Sequence, residues 1–267
     1  MRYLWLVCCF LFISCKNTSD KKEVKSVVKS EIEEVVKEKV TQTIPKKIVI
    51  PSKDGLEMTA DLYLAGDKEV TVLLCHQAGY SRGEYIQTAK ILLENGYSSL
   101  AIDQRSGKEA NGVINETAKR ASEKGLATHY LDARQDIEAA IDYVYELNGN
   151  QPIILVGSSY SASLALLIGV ESTKVKAIIA FSPGEYFQGT NIKNRIKGLD
   201  KPTFVTSSKK EAAKLTEMMS LVNNEILMHY IPKVDGIHGS RALWESTEGN
   251  EGYWDALESF NMVFLQN

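Results

Sequence analysis

The feature that most constrains this chain is a run of mostly small residues, 157–161 (GSSYS), that joins two apolar stretches. The stretch before it, 153–156, predicts a buried strand, and the stretch after it, 162–167, predicts a helix. A turn this sharp forces its central residue, Ser159, into a strained backbone geometry and requires small neighbours. We therefore expect the Ser159 hydroxyl at the edge of a sheet, beside the unpaired N–H groups of a helix N-terminus. A serine placed there is suited to attack a carbonyl carbon.

Short apolar runs alternate with helical patterns along the rest of the chain. The predicted strands cover residues 46–50, 57–64, 70–75, 98–102, 152–156, 175–181, 202–206 and 225–231. The predicted helices cover residues 83–95, 130–147, 209–222, 240–246 and 251–265, and the polar stretch 103–128 has no clear period. Such alternation implies crossover connections and an α/β fold with a mostly parallel central sheet and helices on both faces. The first two strands read as an N-terminal β-hairpin, so the sheet is expected to be mixed.

Composition and charge exclude several classes of protein. The chain is 44% hydrophobic and 24% charged, which suits one sizeable globular core. A formal net charge of −3, without a basic cluster interleaved with aromatic residues, argues against nucleic-acid binding. We expect Cys75, alone in a predicted strand, to be a small core residue.

The N-terminus is typical of a targeting segment. Arg2 precedes an apolar run, residues 3–13, that is too short to span a bilayer, and Ser14 and Cys15 follow. This pattern resembles the bacterial lipoprotein signal, and the resemblance implies cleavage before Cys15, lipidation of its thiol and a membrane-tethered location in the cell envelope. The alternative is a plain signal peptide with an incidental cysteine.

The N-terminal pattern divides the chain into three parts. They are a signal segment (1–14), a charged stalk (15–45) and a globular domain (46–267). Acidic and basic side chains alternate in the stalk, which predicts a solvated spacer; an amphipathic helix that meets a partner is the alternative.

A serine hydroxyl becomes a good nucleophile only with a base in reach, and that base needs an orienting carboxylate. His238 is the best candidate base, because it lies in a late loop between a predicted strand and a predicted helix. His129 starts a helix, His229 lies inside a strand, and His76 directly follows a strand.

The acid is expected between Ser159 and His238, at the tip of a strand. Glu211 fits best, since it follows the strand 202–206. Glu185, after the preceding strand, is the second candidate, and Asp235 is the third.

A tetrahedral intermediate also needs two N–H donors aimed at its oxyanion. One is expected from Tyr160, the residue after the serine, and the other from Gln77 or Ala78, in the loop after the third strand. Gly79 would let that loop turn tightly. An ordinary strand-to-helix turn is the alternative explanation of this loop.

Five segments in this order resemble the α/β-hydrolase superfamily, in the group of dienelactone hydrolases and small bacterial serine esterases. They are 76–85 (HQAGYSRGEY), 103–107 (DQRSG), 157–161 (GSSYS), 181–183 (FSP) and 236–239 (GIHG). The family's Gly-x-Ser-x-Gly motif ends here in Ser161 instead of glycine. Dienelactone hydrolases carry a cysteine nucleophile, so Ser159 does not imply their substrate.

The resemblance implies a serine hydrolase that cleaves a small-molecule carboxylic ester through Ser159, His238 and Glu211. The sequence contains no metal-ligand or phosphate-binding motif, so neither a metal nor a cofactor is expected. Two alternatives remain: a binding or scaffold protein that has lost turnover, and a small peptidase of the same fold. Segments 103–128 and 181–200 are expected to wall the pocket.

Overall fold

The computed structural model describes residues 45–66 and 70–265. The predicted signal segment, Cys15 and the predicted stalk before Pro45 lie outside the described residues. Cys75 is fully buried, as the sequence predicts.

A central eight-stranded sheet organises the described residues, in the order β1-β2-β4-β3-β7-β8-β9-β10. The strands are β1 (Lys46–Pro51), β2 (Glu57–Tyr63), β3 (Val70–Cys75), β4 (Ser98–Ile102), β5 (Glu109–Ala110), β6 (Val113–Ile114), β7 (Ile153–Ser158), β8 (Val175–Phe181), β9 (Thr203–Thr206) and β10 (Leu227–Tyr230). β2 pairs antiparallel with both β1 and β4, and the strands from β4 to β10 in the sheet pair in parallel. The mostly parallel sheet with an N-terminal hairpin is therefore confirmed.

Helices cover both faces of this sheet. They are α1 (Ile86–Glu94), α2 (Glu116–Glu123), α3 (Arg134–Leu147), α4 (Tyr160–Glu171), α5 (Ile192–Arg195), α6 (Ala212–Met219) and α7 (Asn250–Phe264). One buried cluster joins the sheet to α3, α4 and α6, and a second joins it to α1 and α7. Because β7 lies between both clusters, all six of its residues are buried, which explains its continuous apolar run.

The polar stretch 103–128 is more ordered than its sequence suggests. It holds a small β5–β6 hairpin and the helix α2, whose N-cap Asn115 accepts a hydrogen bond from the Ala118 N–H. Two-residue strands are too short to show alternation. α2 buries only Thr117 and Ala121, so its sequence lacks an apolar stripe.

Four predicted helices are shorter than expected, and three of them, α1, α3 and α6, begin three or four residues after the predicted start. A 3-10 turn, Arg82–Tyr85, precedes α1, and the predicted helix at 240–246 is only a 3-10 turn, Ser240–Leu243. Both turns pack against the loops at the carboxyl end of the sheet, where hydrogen bonds to side chains fix the backbone. No helix in the described part of the chain is long and apolar enough to cross a membrane.

A buried ion-pair cluster ties the loop after β4 to the rest of the domain. Arg105 is 2% exposed and pairs with Asp136 at the start of α3 and with Asp54 in the β1–β2 turn, each at 2.8 Å. The next residue, Ser106, accepts a hydrogen bond from the Tyr160 hydroxyl at 3.2 Å through its carbonyl. The cluster therefore anchors a loop that reaches the first residue of α4.

Candidate active site

Ser159 occupies the strained turn that the sequence predicts. It stands between β7 and α4 with φ +59° and ψ −120°, a region that costs a non-glycine residue about 1–3 kcal/mol. A Cβ at Gly157 would lie 2.5 Å from the Ser161 carbonyl oxygen, so only glycine fits there. The Ser159 N–H donates to the Phe181 carbonyl at 2.8 Å, which fixes the turn against β8.

Ser161, where the family motif has glycine, is integrated into the turn. Its hydroxyl accepts from the Ser158 N–H at 2.8 Å and lies 2.8 Å from the Cys75 carbonyl oxygen at the end of β3. The side chain is fully buried. The Ser161 side chain therefore connects the ends of β7 and β3, and the tight turn forms without the glycine of the family motif.

The structure brings Ser159, His238 and Glu211 into one hydrogen-bonded line. His238 Nε2 lies 2.8 Å from Ser159 Oγ, and His238 Nδ1 lies 2.5 Å from Glu211 Oε1. With the proton on Nδ1, the imidazole donates to the carboxylate and accepts from the serine hydroxyl. A base in this position can take the serine proton as the oxygen attacks.

Glu211 is held as a carboxylate by its neighbours. Its Oε2 accepts hydrogen bonds from the Ser208 and Ser182 hydroxyls, at 2.8 and 3.0 Å. Burial acts to raise the pKa of Glu211, but the hydrogen bonds with His238, Ser208 and Ser182 outweigh it and lower the pKa to about 2. Glu211 is thus ionised at neutral pH and can orient His238 and stabilise it when it is protonated.

The two other candidate acids lie elsewhere. Glu185 accepts the Ile192 N–H at 2.8 Å and the Lys193 N–H at 3.3 Å, so it caps α5. Asp235 is exposed, and its backbone carbonyl accepts from the Lys209 N–H. Among the described residues, only Glu211 pairs with His238.

Ser182 is a site residue that sequence reasoning missed. It directly follows β8 with φ +50°, and its hydroxyl donates to Glu211 and accepts from the Gly239 N–H at 3.0 Å. Ser182 therefore joins the loop of the acid to the loop of the histidine. Its place at a strand tip, inside the segment 181–183 that resembles the family, is the one signal that could have found it.

The loop after β3 is fixed by a buried, neutral histidine. His76 Nδ1 lies 2.8 Å from its acceptor, the Gln77 carbonyl, and His76 Nε2 accepts from the Gln104 N–H at 3.1 Å. Burial lowers the pKa of His76 to about 4, so the ring is uncharged at neutral pH. His76 thus holds the backbone of this loop in place through Gln77 and Gln104.

The structure separates the two candidate donors in this loop. The Gln77 N–H donates to Glu84 Oε2 at 2.7 Å, whereas the Ala78 and Tyr160 N–H groups make no hydrogen bond to any described residue. The geometry therefore favours Ala78 over Gln77 as the partner of Tyr160. The Tyr160 side chain stacks on Tyr130, with 4.7 Å between ring centroids.

A cleft of about 640 Å³ borders the loop after β3 at Gly79. Its other lining residues all come from segment 105–128, including Lys108 and Lys119, and none of Ser159, His238 and Glu211 lines it. The cleft therefore does not test whether segments 103–128 and 181–200 wall the catalytic pocket, and this stays a prediction. Tyr186, in segment 181–200, donates its hydroxyl to the Ser182 carbonyl at 2.9 Å. Burial raises the pKa of Tyr186, and a hydrogen bond with Ser159 acts to lower it.

The family comparison agrees with the fold, and its matched range includes Ser159 and Glu211 but ends before His238. The model of the family described as serine aminopeptidase, S33, matches residues 66–233, more than half of the chain. A comparison with curated protein sequences finds no match.

Solved structures with the same fold are distant in sequence. An esterase of Pyrococcus furiosus shares 17% identity over 82% of this chain and 89% of its own, with a TM-score of 0.62. A dienelactone hydrolase of Anabaena variabilis shares 14% identity over 83% and 99%, with a TM-score of 0.63. Est1E of Butyrivibrio proteoclasticus shares 16% over 79% and 99%, with a TM-score of 0.56. At these identities the likeness shows the fold.

Proposed function

Since this chain belongs to the serine aminopeptidase S33 family of α/β-hydrolase enzymes, we propose that it hydrolyses carboxylic esters with Ser159 as nucleophile, His238 as base and Glu211 as orienting acid. One observation carries the proposal: His238 lies 2.8 Å from Ser159 Oγ and 2.5 Å from Glu211 Oε1. This is the distance over which a serine proton can be transferred to an imidazole. The strained backbone of Ser159 and the two unpaired amides beside it support the same role.

The reaction follows from these positions. Ser159 Oγ attacks the ester carbonyl carbon while its proton moves to His238 Nε2, and the new oxyanion accepts the Tyr160 and Ala78 N–H groups. The tetrahedral intermediate then breaks its bond to the alcohol oxygen, which takes the proton from His238. Water attacks the acyl-enzyme by the same route, with His238 again as base, and releases the acid and free Ser159.

An ester is favoured over a peptide by the site as it stands. The segment 181–200 between β8 and β9 holds only the four-residue helix α5, a small cap compared with one that selects a peptide. We therefore propose small or medium acyl esters as the substrate class.

The test is a series of p-nitrophenyl esters of rising acyl length with wild type, Ser159→Ala and Glu185→Gln. We expect wild type and Glu185→Gln to have similar kcat/KM, because Glu185 caps α5, and Ser159→Ala to lose about 10⁴-fold or more. Aminoacyl p-nitroanilides run in parallel test the peptidase alternative. Equal inactivity of wild type on every ester would overturn the ester proposal.

The family is described as serine aminopeptidase, S33, so the peptidase alternative is an aminopeptidase activity. Faster turnover of aminoacyl p-nitroanilides than of esters would make the chain an aminopeptidase with the same Ser159 chemistry. Inactivity on both, with no Ser159-dependent reaction with a fluorophosphonate, would favour a binding protein that keeps the fold.

We also propose that the chain is a lipoprotein of the bacterial cell envelope, tethered through Cys15. The proposal is supported by the sequence pattern of residues 2–15. A single anchored cysteine would leave the globular domain outside the cytoplasm, where it can meet small-molecule esters.

A further inference from the structure

We propose that Glu84 is a positioning residue that holds the three loops of the active site in register. The proposal rests on the proposed function in one respect: those loops carry the oxyanion donor Ala78, the nucleophile Ser159 and the base His238. Glu84 lies in the 3-10 turn before α1, outside all three loops, and is fully buried.

Each oxygen of the Glu84 carboxylate reaches a different part of the site. Oε2 accepts the Gln77 N–H at 2.7 Å, one residue before Ala78. Oε1 accepts the Ser158 hydroxyl at 2.7 Å, one residue before Ser159, and the Ser240 hydroxyl at 2.5 Å, two residues after His238. One side chain thus contacts a residue within two positions of Ala78, of Ser159 and of His238.

Further hydrogen bonds close this network. The Ser240 N–H donates to the Ser158 hydroxyl oxygen at 2.9 Å, and the Trp244 indole N–H donates to the Glu84 carbonyl at 2.9 Å. A Cβ on Gly239 would lie 2.7 Å from the Ser158 hydroxyl oxygen and 2.5 Å from Gln77 Oε1, so the three loops are in close contact. Because the cluster is buried, small shifts of one loop must move the others.

The contacts define which chemical group is needed at position 84. All three side-chain contacts of Glu84 are donors, and a carboxylate accepts from all of them, whereas an amide offers one acceptor oxygen and a competing NH₂. Burial raises the pKa of Glu84, and the hydrogen bonds from Ser240, Gln77 and Ser158 oppose this shift without reversing it. The carboxylate form can accept all three hydrogen bonds.

Through its hydrogen bond to Gln77, Glu84 affects the orientation of the oxyanion donor Ala78. Gln77 and Ala78 are consecutive, so the hydrogen bond to the Gln77 N–H sets where the Ala78 N–H points. An oxyanion donor is effective only at 2.7–3.1 Å from the developing charge, and a shift of about 1 Å can cost about 10²-fold in rate. A displaced Ala78 N–H would destabilise the tetrahedral intermediate more than the bound ester, so kcat should fall more than KM changes.

The experiment compares Glu84→Gln with Asp136→Asn in the full chain. Asp136 is an equally buried carboxylate that accepts the Arg105 N–H at 2.8 Å and pairs with its guanidinium, and its hydrogen bonds go to Ser52 and Arg105 and to none of the three loops. The readouts are the second-order rate of Ser159 labelling by a fluorophosphonate, kcat and KM on p-nitrophenyl acetate, and the melting temperature. A purely structural role would lower the melting temperature of both variants without separating their rates.

We expect Glu84→Gln to lower the labelling rate and kcat about 10- to 100-fold with KM within about threefold. Asp136→Asn should stay within about threefold of wild type in both rates. The proposal is overturned if Glu84→Gln labels within threefold of wild type, or if Asp136→Asn loses as much. If Glu84→Gln does not fold, Ser240→Ala removes one of the three contacts, and a wild-type labelling rate in that variant overturns the proposal.

The labelling rate separates this proposal from the proposed function. Labelling needs Ser159, His238 and the oxyanion donors but no natural substrate. Wild type that labels rapidly yet hydrolyses no ester would overturn the ester assignment, and the comparison of Glu84→Gln with Asp136→Asn would still decide the role of Glu84.

Discussion

At the scale of single residues, Glu211 holds the imidazole of His238 in place. Four hydrogen bonds to its carboxylate favour the ionised form, and one of them joins Oε1 to His238 Nδ1 at 2.5 Å. Loss of the negative charge would leave the imidazole free to adopt the wrong tautomer, with its proton toward Ser159.

Glu211→Gln is predicted to lower kcat on p-nitrophenyl acetate by about 10⁴-fold, as expected when the acid of a triad becomes an amide. KM should change little, because Glu211 does not face the substrate. Steady-state kinetics of this variant beside Glu185→Gln check the prediction. Equal losses in both variants would contradict the assignment of Glu211 as the orienting acid.

The lowered pKa of Glu211 also predicts a pH dependence of stability. The pKa is about 2 in the folded state and about 4.3 in an unfolded chain. The unfolded state therefore binds the proton first as the pH falls, so the contribution of Glu211 is fully present above about pH 5 and is lost between there and pH 2. Urea unfolding of wild type and Glu211→Gln measures it: the difference in unfolding free energy should shrink below pH 5, and a constant difference would contradict the shift.

Sequence reasoning reached the residues whose role follows from local context. Ser159 lies in a recognisable turn, and His238 and Glu211 follow strands in the right chain order. Glu84 could not be found in this way, because its importance comes from a partner 156 residues away, and Ser182 is marked in the sequence only by its place at the strand tip in segment 181–183. The choice between Gln77 and Ala78 likewise needed the contact with Glu84.

At the scale of elements, the segment 103–128 connects the sheet to the active-site loop. Asn115 caps α2 and also places its Nδ2 2.8 Å from the Gln104 carbonyl and 3.1 Å from His76 Nε2. One side chain therefore joins a helix end to the histidine that fixes the loop after β3.

Asn115→Ala should destabilise the protein by more than the usual helix cap, which is worth about 0.5–2 kcal/mol, because the variant also removes donors from a buried site. Asn191→Ala is the matched control, since Asn191 caps the exposed helix α5 through the Asn194 N–H at 2.8 Å. Thermal and urea unfolding of both variants give the comparison. Equal destabilisation would show that the contacts of Asn115 beyond the cap contribute nothing.

The alternation of strands and helices was sufficient to predict the central sheet, because buried parallel strands leave long apolar runs such as 153–156. It failed at 103–128 and 240–246, where two-residue strands and 3-10 turns depend on hydrogen bonds to distant side chains. Whether a segment forms a strand or a helix was therefore predictable where burial determines its pattern of apolar residues.

For the whole molecule, the proposed tether predicts where the protein is found. Expressed with its native N-terminus in a bacterial host, the wild-type chain should fractionate with membranes and incorporate a fatty-acid label. Cys15→Ala should lose the label, and Cys75→Ala, which changes a buried core cysteine, should keep it. A label that persists in Cys15→Ala would contradict lipidation at this residue.

The account as a whole depends on Ser159 being activated by His238, and mass spectrometry of the covalent adduct measures this most directly. After brief exposure to a fluorophosphonate, wild type should gain one adduct, mapped by peptide fragmentation to Ser159 and not to Ser158. Ser159→Ala should gain none, and His238→Ala should react only at the rate of an ordinary serine. An adduct on another residue, or equal labelling of wild type and His238→Ala, would contradict the account.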